Sequence, residues 1–518
     1  MGGPLAMRRL TAEQYKRAVA DVFGADIKVA GRFEPDARRD GLVAVGGSWS
    51  TTTPSSFEQS ESRALSIAAQ VVDETHRAQF VACEPPPAGE ADDACAAEFV
   101  RGIGRQLFRR PLTEEEVEAR VAIAANTTRA TADFHAGLQF ALASLLLAPE
   151  FLFRVEQGEP DPTDPQHMLL TSGSVASRLS YFLWNTTPDE ELLAATEGGQ
   201  LLSDEALGAQ VDRLLASPRL EEGMRAFFAD VYSFDDFEDV SKDTILYPAF
   251  SRTLLEDAQE QTLRVIIDHL ISQRGDFRDL FTTRKSFMTR TLGLVYGVPV
   301  ATRDGWEPFE FPEGSLRSGI YTHASLMALH SHPGRSSPTM RGIFVREAIM
   351  CQPVSAAPAD VTFSVVQETD NVEFKTGRER LLAHQTDKAC AKCHKVMDPI
   401  GLGLDNFDAI GAYRATENGV PIDTSGDVSG EEFSDTRDLG RVLHDHPAVP
   451  ACLVENLYRY AVGRDTALSE RRLLRYLEGR FEESGYRLHD LLRLIAMSDG
   501  FRTASERRAV ETQPEDEV

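Results

Sequence analysis

The sequence predicts a mainly α-helical, multidomain protein, on three observations. Capping signals that mark helix starts recur along the chain, apolar residues repeat at helical spacing between them, and 518 residues exceed what one hydrophobic core organises. At roughly 150 residues per domain, three or four structural units are expected. Hydrophobic residues at 42% and charged residues at 26% suit a globular chain rather than a disordered one.

The first helix is announced by Leu10, Thr11, Gln14 and Tyr15, which fit the N′, N-cap, N3 and N4 positions of a capping box with a hydrophobic staple. Tyr15, Val19, Val22 and Phe23 line one face, and Gly24 ends it. Residues 32–57 are rich in Gly, Ser and Thr and read as a long surface loop. Leu112, Thr113, Glu116 and Val117 repeat the capping arrangement, and a helix runs from there toward Asn126. The apolar run from Leu138 to Ala148 reads as a buried helix, since Pro149 and Glu150 cut it well short of the roughly 18 to 20 residues that cross a membrane.

A further helical block begins near Ser172. Thr187, Pro188 and Glu190 suit the N-cap, N1 and N3 positions after the apolar run Leu179 to Trp184. Helical periodicity recurs through Leu207 to Leu215, Met224 to Val231 and Leu254 to Ile271. Trp184 and the Phe227-Phe228 pair read as core packing rather than as a cofactor platform. From Gly293 to Arg317 short apolar pieces alternate with Gly and Pro, which predicts an irregular connection with a domain boundary near residue 300. Pro353, Pro358 and the polar stretch Gln367 to Lys375 predict a loop, followed by a helical stretch from Arg378 to His384.

Against 54 basic residues stand 81 acidic ones, a net charge of -27, so the surface field repels phosphate backbones and anionic lipid. Nucleic acid is therefore not an expected partner; the acidity reads first as an aid to solubility, with a basic redox partner as the alternative. No transmembrane segment is predicted. The start, Met1-Gly-Gly-Pro-Leu-Ala-Met-Arg-Arg, lacks the apolar core of a signal peptide.

One segment carries chemistry. Cys390-Ala-Lys-Cys393-His394 is a CxxCH motif, whose two thiols add across haem vinyl groups while the adjacent imidazole binds iron. The competing readings are a CxxC redox pair and half of a zinc site. Zinc needs two further ligands, and the remaining cysteines are isolated. A thioredoxin-like CxxC opens a helix after a strand, whereas this motif follows the helical stretch at 378–384. The expected cofactor is thus one covalent haem c per chain, with His394 as the proximal iron ligand. Attachment of haem to CxxCH follows export, so a leader and linker are expected upstream, with a periplasmic or secreted location.

Four cysteines remain, and of their three pairings Cys83 with Cys95 and Cys351 with Cys452 are expected, because the first two bracket a short Pro-rich loop. Disulfides fit an oxidising compartment. The distal iron ligand is open. Met397 lies on the same helix as His394 and cannot reach the opposite haem face. His444 and His446 downstream, or His323, His330, His332 or Met340 upstream, are the candidates, alongside a site with no sixth protein ligand.

The segment CAKCHKVMDPIGLGLDNFDAIGAYR from Cys390 to Arg414 closely resembles the haem-bearing part of a bacterial group built of successive domains of unknown function, numbered 1587, 1595, 1592, 1588 and 1585. LTAEQYKRAVADVFG at Leu10 resembles the first of these and FVRGIGRQLFRRPLT at Phe99 the second. RLSYFLWNTTPDEELL at Arg178 and RSGIYTHASLMALHSHPGRSSPTMRG at Arg317 resemble the third and fourth. LYRYAVGRD and SGYRLHDLLRLIAMSDGFR resemble the last. The resemblance implies an opening helical domain at 8–60, a helical domain with the Cys83/Cys95 loop at 80–155, and a third at 165–300. It then implies a haem-attachment segment at 315–415 and a C-terminal helical domain at 435–505.

The implied fold is mainly α with a C-terminal cytochrome-c-like haem module. Arg335 or Arg341 could meet haem propionates, or serve in a structural ion pair. Asp398, Pro399, Gly401, Asn406, Phe407, Asp408 and Gly411 read as a supporting turn after the haem helix, with Pro399 stopping that helix. No Ser-His-Asp order, phosphate loop or HExxH motif appears. Three functions follow as expectations: single-electron transfer by an exported monohaem protein, a haem-dependent oxidoreductase or peroxidase-like enzyme with an open distal site, and an envelope scaffold with an accessory haem.

Overall fold

The computed structural model describes residues 3–49, 53–83, 87, 90–162, 167–355, 372–386 and 388–505. Helix accounts for 59% and strand for 10%, so the mainly α expectation holds. The chain divides into two compact units. One comprises Met1–Met224, Leu457–Arg475 and Leu492–Val518, and the other Arg225–Asn456 and Tyr476–Leu491.

In the first unit, the helix Ala12–Phe23 starts where the capping box predicts. The Thr11 hydroxyl accepts from the Gln14 N–H, the Gln14 side chain accepts from the Thr11 N–H, and Gly24 closes the helix at φ +96°. Tyr15, Val19 and Phe23 enter a core shared with Phe99, Val100 and Leu107 of the helix Asp93–Phe108 and with Leu138, Leu142 and Leu145 of the helix Phe134–Leu146. Thr113 and Glu116 form the second predicted capping box, and that helix runs past Asn126 to Thr131. Cys83 and Cys95 form a disulfide with 5.9 Å between their Cα atoms. Trp184 is buried and donates its indole N–H to the Leu214 carbonyl, as a core residue.

A buried ionic cluster ties the small antiparallel pair Met7–Arg9 and Phe153–Val155 to the helix Ser172–Leu183. Glu156 accepts from Arg8 at 2.8 Å, from Arg178 at 2.6 and 2.8 Å, and from the Ala6 N–H at 3.1 Å. Burial pushes the Glu156 carboxyl up, but Arg178, Arg8 and the hydrogen bonds outweigh it and bring the carboxyl down to about 2.

Two expectations in this unit are corrected. The stretch 32–57 holds a helical turn at Val43–Gly46, and a long helix, Pro54–Val71, begins inside it. Thr53 caps that helix and Pro54 takes N1, so the Thr-Pro pair that reads as loop chemistry is a helix start. The helix Glu190–Thr196 is capped by Asp189, whose carboxylate accepts from Leu192 N–H, and not by Thr187, whose hydroxyl donates to the Gln106 carbonyl.

In the second unit, the helix Arg252–Ile267 continues into a π-helical turn, Asp268–Ser272. Leu254 and Ala258 pack with Met288, Leu292, Tyr296, Phe311, Ala324 and Ile410 in a second core. Residues 293–317 are more regular than expected. The helix Arg290–Tyr296 leads to a strand, Glu307–Glu310, that pairs antiparallel with Lys285–Met288, so Gly297 and Gly305 are turn residues at positive φ within an ordered hairpin. Phe227 and Phe228 are buried edge-to-face neighbours, as core residues. Cys351 and Cys452 form the second disulfide, closing a separation of 101 residues with Cα atoms 5.1 Å apart. No helix among the described residues is long and apolar enough to cross a membrane. Pro358 and the start of the stretch Gln367 to Lys375 lie outside the described residues.

Candidate haem-attachment site

Cys390, Cys393 and His394 lie on one helix, Lys388–Leu402, in the second unit. The preceding helix, Gly377–His384, carries its own capping box, Thr376 with Glu379. A third helix, Pro338–Phe344, capped by Ser337, crosses the motif helix at very close range. Two glycines allow this approach. A Cβ on Gly342 would overlap the Met397 carbonyl, and one on Gly401 would overlap the Pro338 carbonyl. Gly401 is therefore a packing residue within the motif helix.

Pro399 does not stop that helix, which runs on to Leu402. Proline costs one backbone hydrogen bond there, and the contact with the crossing helix holds the last turn in place. Strand Gly426–Val428 backs the same turn, with Gly426 against the Pro399 carbonyl.

Cys390 is buried and Cys393 half-buried, one helical turn apart, and both stand outside the two disulfides. His394 is largely buried, with 12% of its side chain exposed, and its Nδ1 lies 2.8 Å from Asp398 Oδ2. Asp398 is fully buried, and in the neutral imidazole whose Nδ1–H faces this carboxylate, Nε2 carries the lone pair. Asp398 takes two further donors: the Gln385 amide at 3.0 Å on Oδ2 and the Thr339 hydroxyl at 2.9 Å on Oδ1. Its carboxylate thus joins the motif helix, the segment before it and the crossing helix. His384 meets the His394 ring edge-on, with centroids 4.9 Å apart and planes at 83°.

This donor set fits a covalently held haem: two thiols one turn apart, beside an imidazole whose Nδ1 is already held and whose Nε2 is available for iron. Asp398, expected in the supporting turn, lies instead within the motif helix, and His384, which no motif singles out, stands against the ligand. The signal for Asp398 was present, since His394 and Asp398 stand at i and i+4 on a helix.

The distal candidates are placed as follows. His444 is held by Asp445 at 2.6 Å and lies 3.4 Å from Asp279. His446 ends the helix Thr436–Asp445 and its Nδ1 accepts from the Ala448 N–H. His332 sits in a two-residue hairpin strand opposite Arg335, where burial, then Arg335 and Lys242, lower its pKa. The Lys242 ammonium fixes that hairpin by donating to the Ser331 and His332 carbonyls, and burial pulls it down to about 8. Met340 is half-buried on the crossing helix, next to Thr339. His323 is buried with Nδ1 3.0 Å from the Thr262 hydroxyl. His330 stacks on Phe344 at 4.4 Å, and its buried Nε2 has no hydrogen-bond partner among the described residues. Burial pushes both His323 and His330 down to about 3.

Arg341 is corrected from a propionate partner or ion-pair member to a backbone organiser. Fully buried, it donates to the carbonyls of Leu404 at 2.9 Å, Phe407 at 2.6 Å, Asp408 at 2.6 Å and Met327 at 3.3 Å. It therefore shapes the turn that follows the motif helix. Arg335 is half-buried beside Arg380, without a carboxylate partner among the described residues. Asp408 accepts the Ile410 and Ala412 N–H groups, and the Asn406 amide donates to the Arg414 carbonyl, as expected of supports.

Five family models match in succession: Protein of unknown function (DUF1587) at residues 8–73, (DUF1595) at 95–156, (DUF1592) at 170–298, (DUF1588) at 317–417 and (DUF1585) at 429–501. The chain belongs to this five-domain family. The CxxCH helix falls within the DUF1588 segment, whose model bears the short name PSCyt3, a cytochrome label. A comparison with curated proteins and one with solved structures gave no match.

Proposed function

We propose that this family member is an exported, monohaem c-type cytochrome-like protein that passes single electrons. The observation that carries the reading is the donor set on the motif helix: Cys390 and Cys393 outside both disulfides, and His394 with Nδ1 held by Asp398. Cys390 and Cys393 would hold the porphyrin edge as thioethers, and His394 would present Nε2 to iron. The bound group supplies a reversible one-electron couple. The chain's own residues orient the imidazole, bury one face of the motif helix and set the polarity around it. Arg335, a half-buried cation without a carboxylate partner among the described residues, suits a propionate. A periplasmic or secreted location belongs to the same proposal, since two disulfides suit an oxidising compartment.

A second reading, a haem-dependent oxidoreductase with an open distal site, is favoured by the local engagement of His444 and His446. The reduced optical spectrum with and without carbon monoxide separates the two, on protein made with a leader and haem-maturation machinery. A spectrum unchanged by carbon monoxide supports the electron carrier, a shifted one the oxidoreductase, and absence of a haem spectrum overturns both.

A further inference from the structure

We propose that Asp398 is the positioning residue of the proximal ligand and makes His394 a strong electron donor, so that the bound iron is held toward its oxidised state. The inference rests on the haem reading above and concerns what the chain does to the metal rather than whether it binds.

Three observations carry it. The carboxylate is fully buried, so its charge is screened little by water, and it sits 2.8 Å from His394 Nδ1. An imidazole whose Nδ1–H donates to a carboxylate gains negative character at Nε2, which stabilises the higher charge of ferric iron over ferrous. The carboxylate is also fixed. Gln385 and Thr339 donate to it from outside the motif helix, at 3.0 and 2.9 Å. Each of these donors draws charge away from the contact with His394, so the Asp398 cluster is graded: acceptor strength toward His394 rises when an outer donor is lost and falls when the carboxylate is lost.

Grading gives a signature that a merely structural role does not. Asp398→Asn replaces the charged acceptor by a neutral amide and is expected to raise the midpoint potential. Thr339→Val removes one outer donor while keeping the carboxylate, and is expected to lower it. Asp398→Glu restores the charge and is expected to return the potential toward the parent value. The shift expected for Asp398→Asn is at least tenfold in the equilibrium ratio of ferric to ferrous protein, which is about 59 mV for one electron.

The experiment is an equilibrium redox titration of the haem-loaded full chain and these three variants, preceded by haem staining of each on a denaturing gel. A raised potential in Asp398→Asn together with a lowered one in Thr339→Val supports the inference, and the reverse pair overturns it. Stained protein whose potential is unmoved by Asp398→Asn, or moved the same way by both, overturns it while leaving the haem reading intact. If Asp398→Asn does not fold, an unmoved potential in Thr339→Val overturns it alone. Parent protein that takes no stain overturns the haem reading and this inference with it.

Discussion

Replacing Gly401 by alanine sets two effects of opposite sign against each other at the helix crossing that positions the site. Helix propensity alone favours alanine over glycine by about 1 kcal/mol in a helix interior, and by less in the last turn, where Gly401 sits. Packing opposes it, because the added Cβ would occupy the space of the Pro338 carbonyl. A backbone carbonyl cannot rotate aside as a flexible side chain would. The two helices must then separate, at the ~1 to 3 kcal/mol typical of overpacking or more. The net expectation for Gly401→Ala is a loss of about 1 to 2 kcal/mol, read as a drop of roughly 2 to 4 °C in unfolding temperature per kcal/mol for a unit of this size. Gly342→Ala, facing the Met397 carbonyl, should behave alike. Gly479→Ala is the control in the same unit: it lies in the helix Arg471–Glu483, where a Cβ would meet open space, and should stabilise. Differential scanning calorimetry of the three variants decides the matter. If Gly401→Ala stabilises as much as Gly479→Ala does, the helices do not meet at Gly401 and the placement of Thr339 on Asp398 loses its basis.

Other outcomes follow from the same contacts. Glu156, held at about 2 in the fold against an ordinary 4.5, contributes about 3 kcal/mol that is fully present above about pH 4.5 and lost as pH falls through about 2. Glu156→Gln should cost ~3 to 5 kcal/mol at neutral pH by leaving Arg8 and Arg178 buried without their counter-charge, and should flatten acid unfolding followed by circular dichroism. Exchanging Cys351 and Cys452 for serine removes a closure across 101 residues and should cost about 4 to 5 kcal/mol in urea unfolding; no loss would show the bridge to be energetically silent. Arg341→Met strips donors from four carbonyls, three of them in buried contacts, and should destabilise by about 3 kcal/mol or more in the same assay, whereas a propionate partner would lower only haem retention.

Local chemistry was the legible part of this sequence. Thr11 with Gln14 and Thr113 with Glu116 start their helices as predicted, because a capping box is complete within four residues. The disulfides and the helical setting of CxxCH were legible for similar reasons of short spacing and cysteine arithmetic. Where local signals compete, spacing alone does not decide between them. Thr187 and Asp189 can each cap the helix that follows, and Asp189 wins by accepting from Leu192 N–H, while Thr187 is drawn to Gln106, some 80 residues earlier. Thr53-Pro54 has the composition of a turn and the geometry of a helix start.

The candidate site was legible in its ligands and hidden in its supports. Cys390, Cys393 and His394 fall within five residues of sequence, as one motif. Arg341 looked like a charge awaiting a charged partner, and its four carbonyl acceptors lie 14 to 67 residues away, where no sequence spacing points to them. Gly342 and Gly401 are unremarkable until two helices are seen to cross at them. Pro399 misled because a helix stop is the usual outcome, and here packing against Pro338–Phe344 overrides the lost hydrogen bond.

Haem staining after denaturing electrophoresis decides whether Cys390 and Cys393 hold a haem covalently, comparing the parent chain with Cys390→Ser/Cys393→Ser, both made with a leader and the haem-maturation machinery. The expected result is a stained band at the full-length position in the parent and none in the variant. An unstained parent, or equal staining of the two, would refute covalent attachment at these cysteines.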